Sequence, residues 1–391
     1  MITNPISITA SSALCSLGEN PLEIWENYTI NPQKHFATLE TINNQETVVG
    51  RLCLASKKSL EVLKNSNSHY KNLDPTVLMA LHSSRKAIEK AGWNPETNFG
   101  INIGSSRGAT TLFEKYHQEF ITTQKSSTLA SPTTTLGNIS SWVAHDLQSQ
   151  GPQISHSITC STALHAVLNG VAWLQSGICD YFLVGGSEAP LTPFTLAQIK
   201  ALKVYSRQNN EEYPCRALDL DKKYNQMFLA EGAAVFCLEK GKKTNAMAHI
   251  IGIGYATEPL THNISITSDA VCFQKSMQMA LQNHEPKSVD AVVMHAPGTI
   301  KGDLSEYRAL QKIFGENTLP FLTTNKWKIG HSFGASGALS LDFALMQLQH
   351  QKAIGMPFGT LKTQETPKNL KRILVNAVGF GGNAVSLLIE K

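Results

Sequence analysis

Short apolar runs, several closing on glycine, alternate along most of the chain with segments whose apolar residues recur at helical spacing. Gly100-Ile-Asn-Ile-Gly104, Tyr181-Phe-Leu-Val-Gly185-Gly186, Ala291-Val-Val-Met294 and Arg372-Ile-Leu-Val-Asn376 read as strands covered on both faces. Residues 75–91, 161–176, 303–314 and 335–350 carry the i, i+3, i+4 pattern that predicts helices. Strands alternating with helices predict an α/β architecture with largely buried sheets.

The polar stretch Glu239 to Ala248 separates two strand-like runs and is the expected junction between halves 1–240 and 241–391. The halves share a plan. Cys160-Ser-Thr-Ala leads into a helix and a strand ending Val184-Gly-Gly; Ser332-Phe-Gly-Ala-Ser-Gly-Ala leads into a helix and a strand ending Val378-Gly-Phe-Gly-Gly382. Internal duplication and a chance likeness of Gly/Ala-rich turns both account for this. Residues 207–214 read as an exposed loop.

Composition narrows the class. The chain has 391 residues, 42% hydrophobic and 16% charged, which suits a folded protein of two domains or two fused halves. A net charge of +4, from 34 basic and 30 acidic residues spread along the chain, is too mild to imply nucleic acid. Seven cysteines without CxxC or metal-ligand spacing read as reduced, mostly buried thiols. No apolar run approaches membrane-spanning length, and Met1 to Pro5 does not open a secretory signal. The expectation is a cytoplasmic protein without membrane insertion.

Cys160 carries the most chemistry. It lies where the short run Ser157-Ile158-Thr159 meets small residues and a helical pattern, a strand-to-helix turn able to present a nucleophile. A helix start favours thiolate over thiol through its dipole and free N–H groups. His295 follows the strand-like Ala291 to Met294, and His331 lies in a Gly-rich turn; catalytic groups favour such loops at strand ends. One cysteine and two imidazoles, with glycine turns exposing N–H groups near Cys160 and Phe380, suit acyl transfer through a thioester.

In order and wording these motifs resemble the β-ketoacyl-acyl carrier protein synthases, condensing enzymes of the thiolase superfamily, over nearly the whole chain. Ser11 to Gly18 with Trp25 is similar to the family's opening strand and turn. Gly151-Pro152 through Cys160 to Gly185-Gly186-Ser187-Glu188 is similar to the nucleophile region. His295 with Gly302-Asp303 and Glu306 matches the first histidine motif, Lys326 with Gly330-His331 and Gly334-Ala335 the second, and Gly379-Phe380-Gly381-Gly382-Asn383 the C-terminal glycine turn.

The resemblance implies a thiolase-like fold of two duplicated βαβ halves in a five-layered α-β-α-β-α arrangement. It implies that Cys160 takes an acyl chain from the phosphopantetheine thioester of an acyl carrier protein. His295 and His331 would stabilise the enolate formed when a malonyl thioester loses carbon dioxide, giving a β-ketoacyl product two carbons longer. Backbone N–H groups of Cys160 and Phe380 would hold the oxyanion, and the Phe380 ring would gate the acyl pocket. Lys326 and Glu306 would orient the histidines, the alternative being a solvated ion pair. Thr299 would bind pantetheine. No tightly bound cofactor or metal is implied. Arg207 and Lys71, with Lys57 and Lys58, would contact the acidic carrier, and the chain would form a homodimer or a heterodimer with a related subunit.

Three departures stand out. Pro297 replaces the first hydroxyl of the family's Gly-Thr-x-Thr, removing a hydrogen bond worth about 0.5–1.5 kcal/mol. The loop from Asp219 to Gly232 reads Tyr224-Asn225-Gln226-Met227-Phe228 where the family has Arg-Asp-Gly-Phe-Val, with about two extra residues before its Glu-Gly by the family's spacing. Arg107 brings a bulky charge to a region usually small, and reads as a surface residue. These point to a specialised pathway, such as an aryl-polyene, flexirubin-like or polyketide product, with housekeeping fatty-acid elongation as the alternative. A thiolase would need a second cysteine near the C-terminal glycine turn, where Cys272 is already the last. A papain-like protease leaves the glycine motifs unexplained, and a non-catalytic chain-length partner would typically lack the nucleophile.

Overall fold

The computed structural model describes residues 2, 4–30, 34–94, 96–136, 138–207, 212–259 and 266–391. The strands in chain order are β1 (Ile6–Leu14), β2 (Thr38–Ile42), β3 (Gln45–Val49), β4 (Gly100–Gly104), β5 (Gln153–Ile154), β6 (Tyr181–Glu188), β7 (Gly232–Lys240), β8 (Ala248–Thr257), β9 (Ala291–Val293), β10 (Phe321–Thr323), β11 (Arg372–Gly379) and β12 (Asn383–Glu390). Of the loop expected at 207–214, residues 208–211 lie outside the described residues.

Two five-stranded sheets form, in the orders β1-β7-β6-β4-β5 and β8-β12-β11-β9-β10. Read in this direction, both run antiparallel, antiparallel, parallel, parallel. One plan used twice is internal duplication, which settles the choice the sequence left open. The link 241–247 joins β7 of the first sheet to β8 of the second.

The predicted helices are present as Pro75–Ala91, Thr162–Ser176, Ile300–Phe314 and Ser336–His350. The first has the predicted limits because its signals are strong: Asp74 accepts from Thr76 N, Pro75 opens the first turn, and Gly92 closes it at φ 69°. Helix Ile300–Phe314 starts earlier than its apolar pattern because the Thr299 hydroxyl caps it, accepting from Gly302 N. The helices after Cys160 and after His331 pack on each other between the sheets. Their apolar faces meet side chains of both sheets in one core, including Leu164, Val167, Val184, Leu341, Leu345 and Val375. Ser336–His350 is buried almost all round, with Asp342 inside it bonded by Ser11 Oγ at 2.9 Å. Helices Pro75–Ala91 and Val271–Ala280 cover the outer faces, which completes five layers.

Candidate active site

The turn carrying Cys160 is tight and held from within. Thr159 adopts φ 47°, a left-handed conformation that costs a β-branched residue about 1–3 kcal/mol. Local bonds impose it: Ser161 N and Ser161 Oγ donate to Ile158 O, and Thr162 Oγ1 donates to Thr159 O at 2.6 Å while accepting from Ile158 N. Cys160 is 6% exposed and sits two residues before the helix Thr162–Ser176.

His295 leaves the end of β9, and the Glu306 carboxylate accepts from His295 N at 3.0 Å and Ala296 N at 2.9 Å. His331 is pinned by its backbone, donating to Phe228 O and accepting from Ala230 N. Gly330 before it has φ 86°, and any Cβ there would strike the Phe228 ring. The two imidazoles meet edge to face at 5.2 Å between centroids, and both are buried. No protein group among the described residues holds either Nδ1.

Burial dominates the electrostatics. It drives His295 well below the ordinary imidazole range, helped by His331 and Lys326, and brings His331 down to about 3, helped by Lys326. Both rings are therefore neutral donors or acceptors at neutral pH. The Cys160 thiol is pushed up to about 12 by burial and by the nearby Glu188 charge; Arg107, Lys326 and the residue's own N–H oppose this and lose. The expectation that a helix start would hold Cys160 as a thiolate is corrected: desolvation outweighs the helix end, and the resting residue is a thiol.

Lys326 acts on Cys160, His295, His331 and Glu306 together. It is 1% exposed, donates to Ser340 Oγ at 2.6 Å, and burial lowers its ammonium to about 8. Glu306, also 1% exposed, is pushed up to about 7 by burial. These two are not a solvated ion pair; each sits inside the protein on its own hydrogen bonds. Phe380 stands in the turn after β11, where its carbonyl accepts from Thr159 Oγ1 at 3.3 Å, which ties the glycine turn to the nucleophile turn. The residue itself is 43% exposed. Thr299 is half-buried and spends its oxygen on the helix cap.

The carrier-contact candidates lie apart from this cluster. Lys57 and Lys58 are exposed on helix Leu54–Ser66, which packs on the turn bearing exposed Lys71. Exposed Arg207 lies over the Tyr224 ring at 5.5 Å, beside the unusual 219–232 loop. That loop is fastened under the His295 turn: Lys222 Nζ and Leu218 N donate to Asp303 Oδ2, and Asp303 Oδ1 accepts from Gly298 N.

Sequence reasoning gave no role to Glu188, Asn376 or Phe333. Asn376 Nδ2 donates to Glu306 Oε1 at 3.1 Å, and its oxygen accepts from Ser386, which bonds Ser276. A polar residue within the apolar run of β11 was the available signal. Phe333 packs on His331 at 5.8 Å, and exposed Arg107 lies over it at 5.3 Å, so Arg107 is a surface residue that borders the site.

Residues 3–244 match the family model described as Beta-ketoacyl synthase, N-terminal domain, and residues 247–356 the one described as Beta-ketoacyl synthase, C-terminal domain. The chain is 26% identical to the chloroplastic 3-oxoacyl-[acyl-carrier-protein] synthase II of Arabidopsis thaliana, covering 98% of this chain and 75% of that one. It is 24% identical to 3-oxoacyl-[acyl-carrier-protein] synthase 2 of Staphylococcus aureus (strain COL), covering 99% and 98%. In fold it resembles a β-ketoacyl synthase from Burkholderia phymatum, with TM-score 0.83 and 18% identity over the whole of both chains. It also resembles the ishigamide ketosynthase/chain length factor, with TM-score 0.84 and 17% identity over 99% of each. The α/β, thiolase-like fold expected from the motifs is the one these neighbours share.

Proposed function

The chain belongs to the β-ketoacyl synthase family, and we propose that it condenses an acyl thioester with a malonyl thioester on an acyl carrier protein. The observation that carries this reading is the pair of buried, neutral, mutually perpendicular imidazoles that share the buried Lys326 charge with the buried Cys160 thiol.

Cys160 attacks the acyl thioester carbonyl, its thiol proton passes to the departing pantetheine sulfur, and the acyl group stays on Cys160. His295 and His331, held neutral, donate hydrogen bonds to the malonyl thioester oxygen as carbon dioxide leaves, and the enolate forms there without needing an ionised imidazole. The enolate carbon attacks the acyl-Cys160 carbonyl, whose oxyanion takes the N–H groups of Cys160 and Phe380. Collapse expels the Cys160 sulfur, which takes up one proton from solvent, and leaves a β-ketoacyl thioester two carbons longer. Buried Lys326 and Glu306 hold the histidines in place and charge state. Thr299 offers its hydroxyl hydrogen to the pantetheine arm.

In this reading halves 1–240 and 241–391 supply the nucleophile and the histidines respectively. The carrier docks on basic residues drawn from Arg207 and Lys71, and the chain works as a homodimer or beside a related subunit. Pro297, the 219–232 loop and Arg107 all border the site, which supports a specialised aryl-polyene, flexirubin-like or polyketide pathway over housekeeping elongation. The presence of Cys160, His295 and His331 together supports a catalytic chain over a chain-length partner. The test is intact-mass spectrometry of wild type and Cys160→Ala after exposure to a panel of acyl-loaded carriers. One acyl adduct on wild type alone supports the reading; no adduct with any carrier on the folded protein overturns it.

A further inference from the structure

Glu188, the last residue of β6, is fully buried and joins segments that are distant in the chain. Its Oε1 accepts from Ser105 Oγ at 2.9 Å and Arg107 N at 3.1 Å; its Oε2 accepts from Ser106 N at 2.6 Å and Gly334 N at 3.0 Å. Ser105 Oγ also receives Gly108 N at 2.9 Å, and Ser106 O receives Ser157 Oγ at 2.9 Å, three residues before Cys160. One carboxylate thus fastens the loop after β4 to the turn that follows His331, while that loop braces the approach to the nucleophile. Three of the four partners are N–H groups that can only donate, so the clasp is strongest when the carboxyl is ionised, and burial pushes that carboxyl up to about 7.

We propose that Glu188 is a positioning residue that sets the His331–Phe333 turn against Cys160 through this four-donor clasp. The inference rests on the condensing reading above and adds a member to that site. The same charge has a second consequence. The charged groups bearing on Cys160 are Glu188 on one side and Arg107 and Lys326 on the other, with His295 and His331 neutral. Glu188 therefore favours the thiol, adding to the larger effect of burial.

The test compares wild type, Glu188→Gln, Glu188→Asp and Ser105→Ala by two readouts. The first is the pH profile of Cys160 alkylation by iodoacetamide, followed on the Cys160 peptide by mass spectrometry, because Cys53 and Cys179 are also partly exposed. The second is the rate of Cys160 self-acylation set against the rate of condensation. Glu188→Gln should move the alkylation profile down by about one pH unit, the effect of removing one close like charge. It should also lower condensation by about tenfold or more while self-acylation falls much less, because the histidine turn is misplaced. Glu188→Asp keeps the charge but is one methylene too short to span both segments, so its alkylation profile should stay with wild type while condensation still falls.

An unmoved profile in Glu188→Gln, or undiminished condensation in Glu188→Asp, overturns the proposal. If the Glu188 variants do not fold, Ser105→Ala decides: about a threefold loss of condensation with self-acylation intact is expected, and wild-type condensation overturns it. The alkylation profile needs no carrier. A wild type that accepts no acyl group would therefore remove the condensing reading without being mistaken for failure of the clasp.

Discussion

Glu306→Ala removes a buried carboxylate that receives His295 N, Ala296 N and the Asn376 amide at 3.0, 2.9 and 3.1 Å. A buried donor left without an acceptor costs about 1–3 kcal/mol, and water entering the vacated space recovers part of that. We expect a net loss of about 3–5 kcal/mol, a large share of the roughly 5–15 kcal/mol that holds a domain folded. The loss also has a pH dependence of definite sign. Burial raises the Glu306 carboxyl from 4.5 to about 7, so the ionised form is the one disfavoured in the folded protein. Its favourable contribution is fully present below pH 4.5 and is lost as pH rises through about 7. The variant lacks this slope, so wild type and variant differ more at pH 5 than at pH 8. Urea unfolding of both proteins at the two pH values measures the difference directly. A loss under about 1 kcal/mol, or a larger loss at pH 8, refutes the reasoning.

A Cβ at Gly379 would collide with Thr159 Oγ1 and lie 2.7 Å from Ile158 O. Gly379→Ala should cost about 1–3 kcal/mol of overpacking and slow Cys160 acylation, and adding Thr159→Ala should restore part of both, as read by thermal unfolding and adduct formation. Lys222 Nζ and Asp303 Oδ2 form an ion pair at 2.7 Å with almost no solvent access. Lys222→Ala leaves that carboxylate without its cation and should cost about 3–5 kcal/mol in denaturant titrations. Since Asp303 also holds Gly298 in the His295 turn, KM for the carrier thioester should rise more than kcat falls.

Legibility in the sequence followed the range of the interactions. Strand 100–104 and helix 75–91 have their predicted limits because the signals are local: an apolar run between glycines in one case, Asp74-Pro75 and Gly92 in the other. Cys160, His295 and His331 could be picked out because each lies in a turn whose wording is itself local. What the sequence did not reveal depends on partners far along the chain. Glu188 bonds Gly334 across 146 positions and Asn376 bonds Glu306 across 70. The thiolate expectation failed for the same reason: a helix start is visible in sequence, whereas the desolvation around Cys160 and the carboxylate beside it come from the assembled layers. Lys326 and Glu306 likewise look like surface charges by residue type, and only the assembled fold buries them.

The most direct test of the central claim is mass analysis of the carrier-bound product after wild type, charged with an accepted acyl group, is given malonyl-loaded carrier. The account predicts a β-ketoacyl thioester two carbons longer than the starter, with one carbon dioxide released for each product, and none of it from Cys160→Ala. Acylated Cys160 that persists beside intact malonyl carrier, with no elongated product, would contradict it.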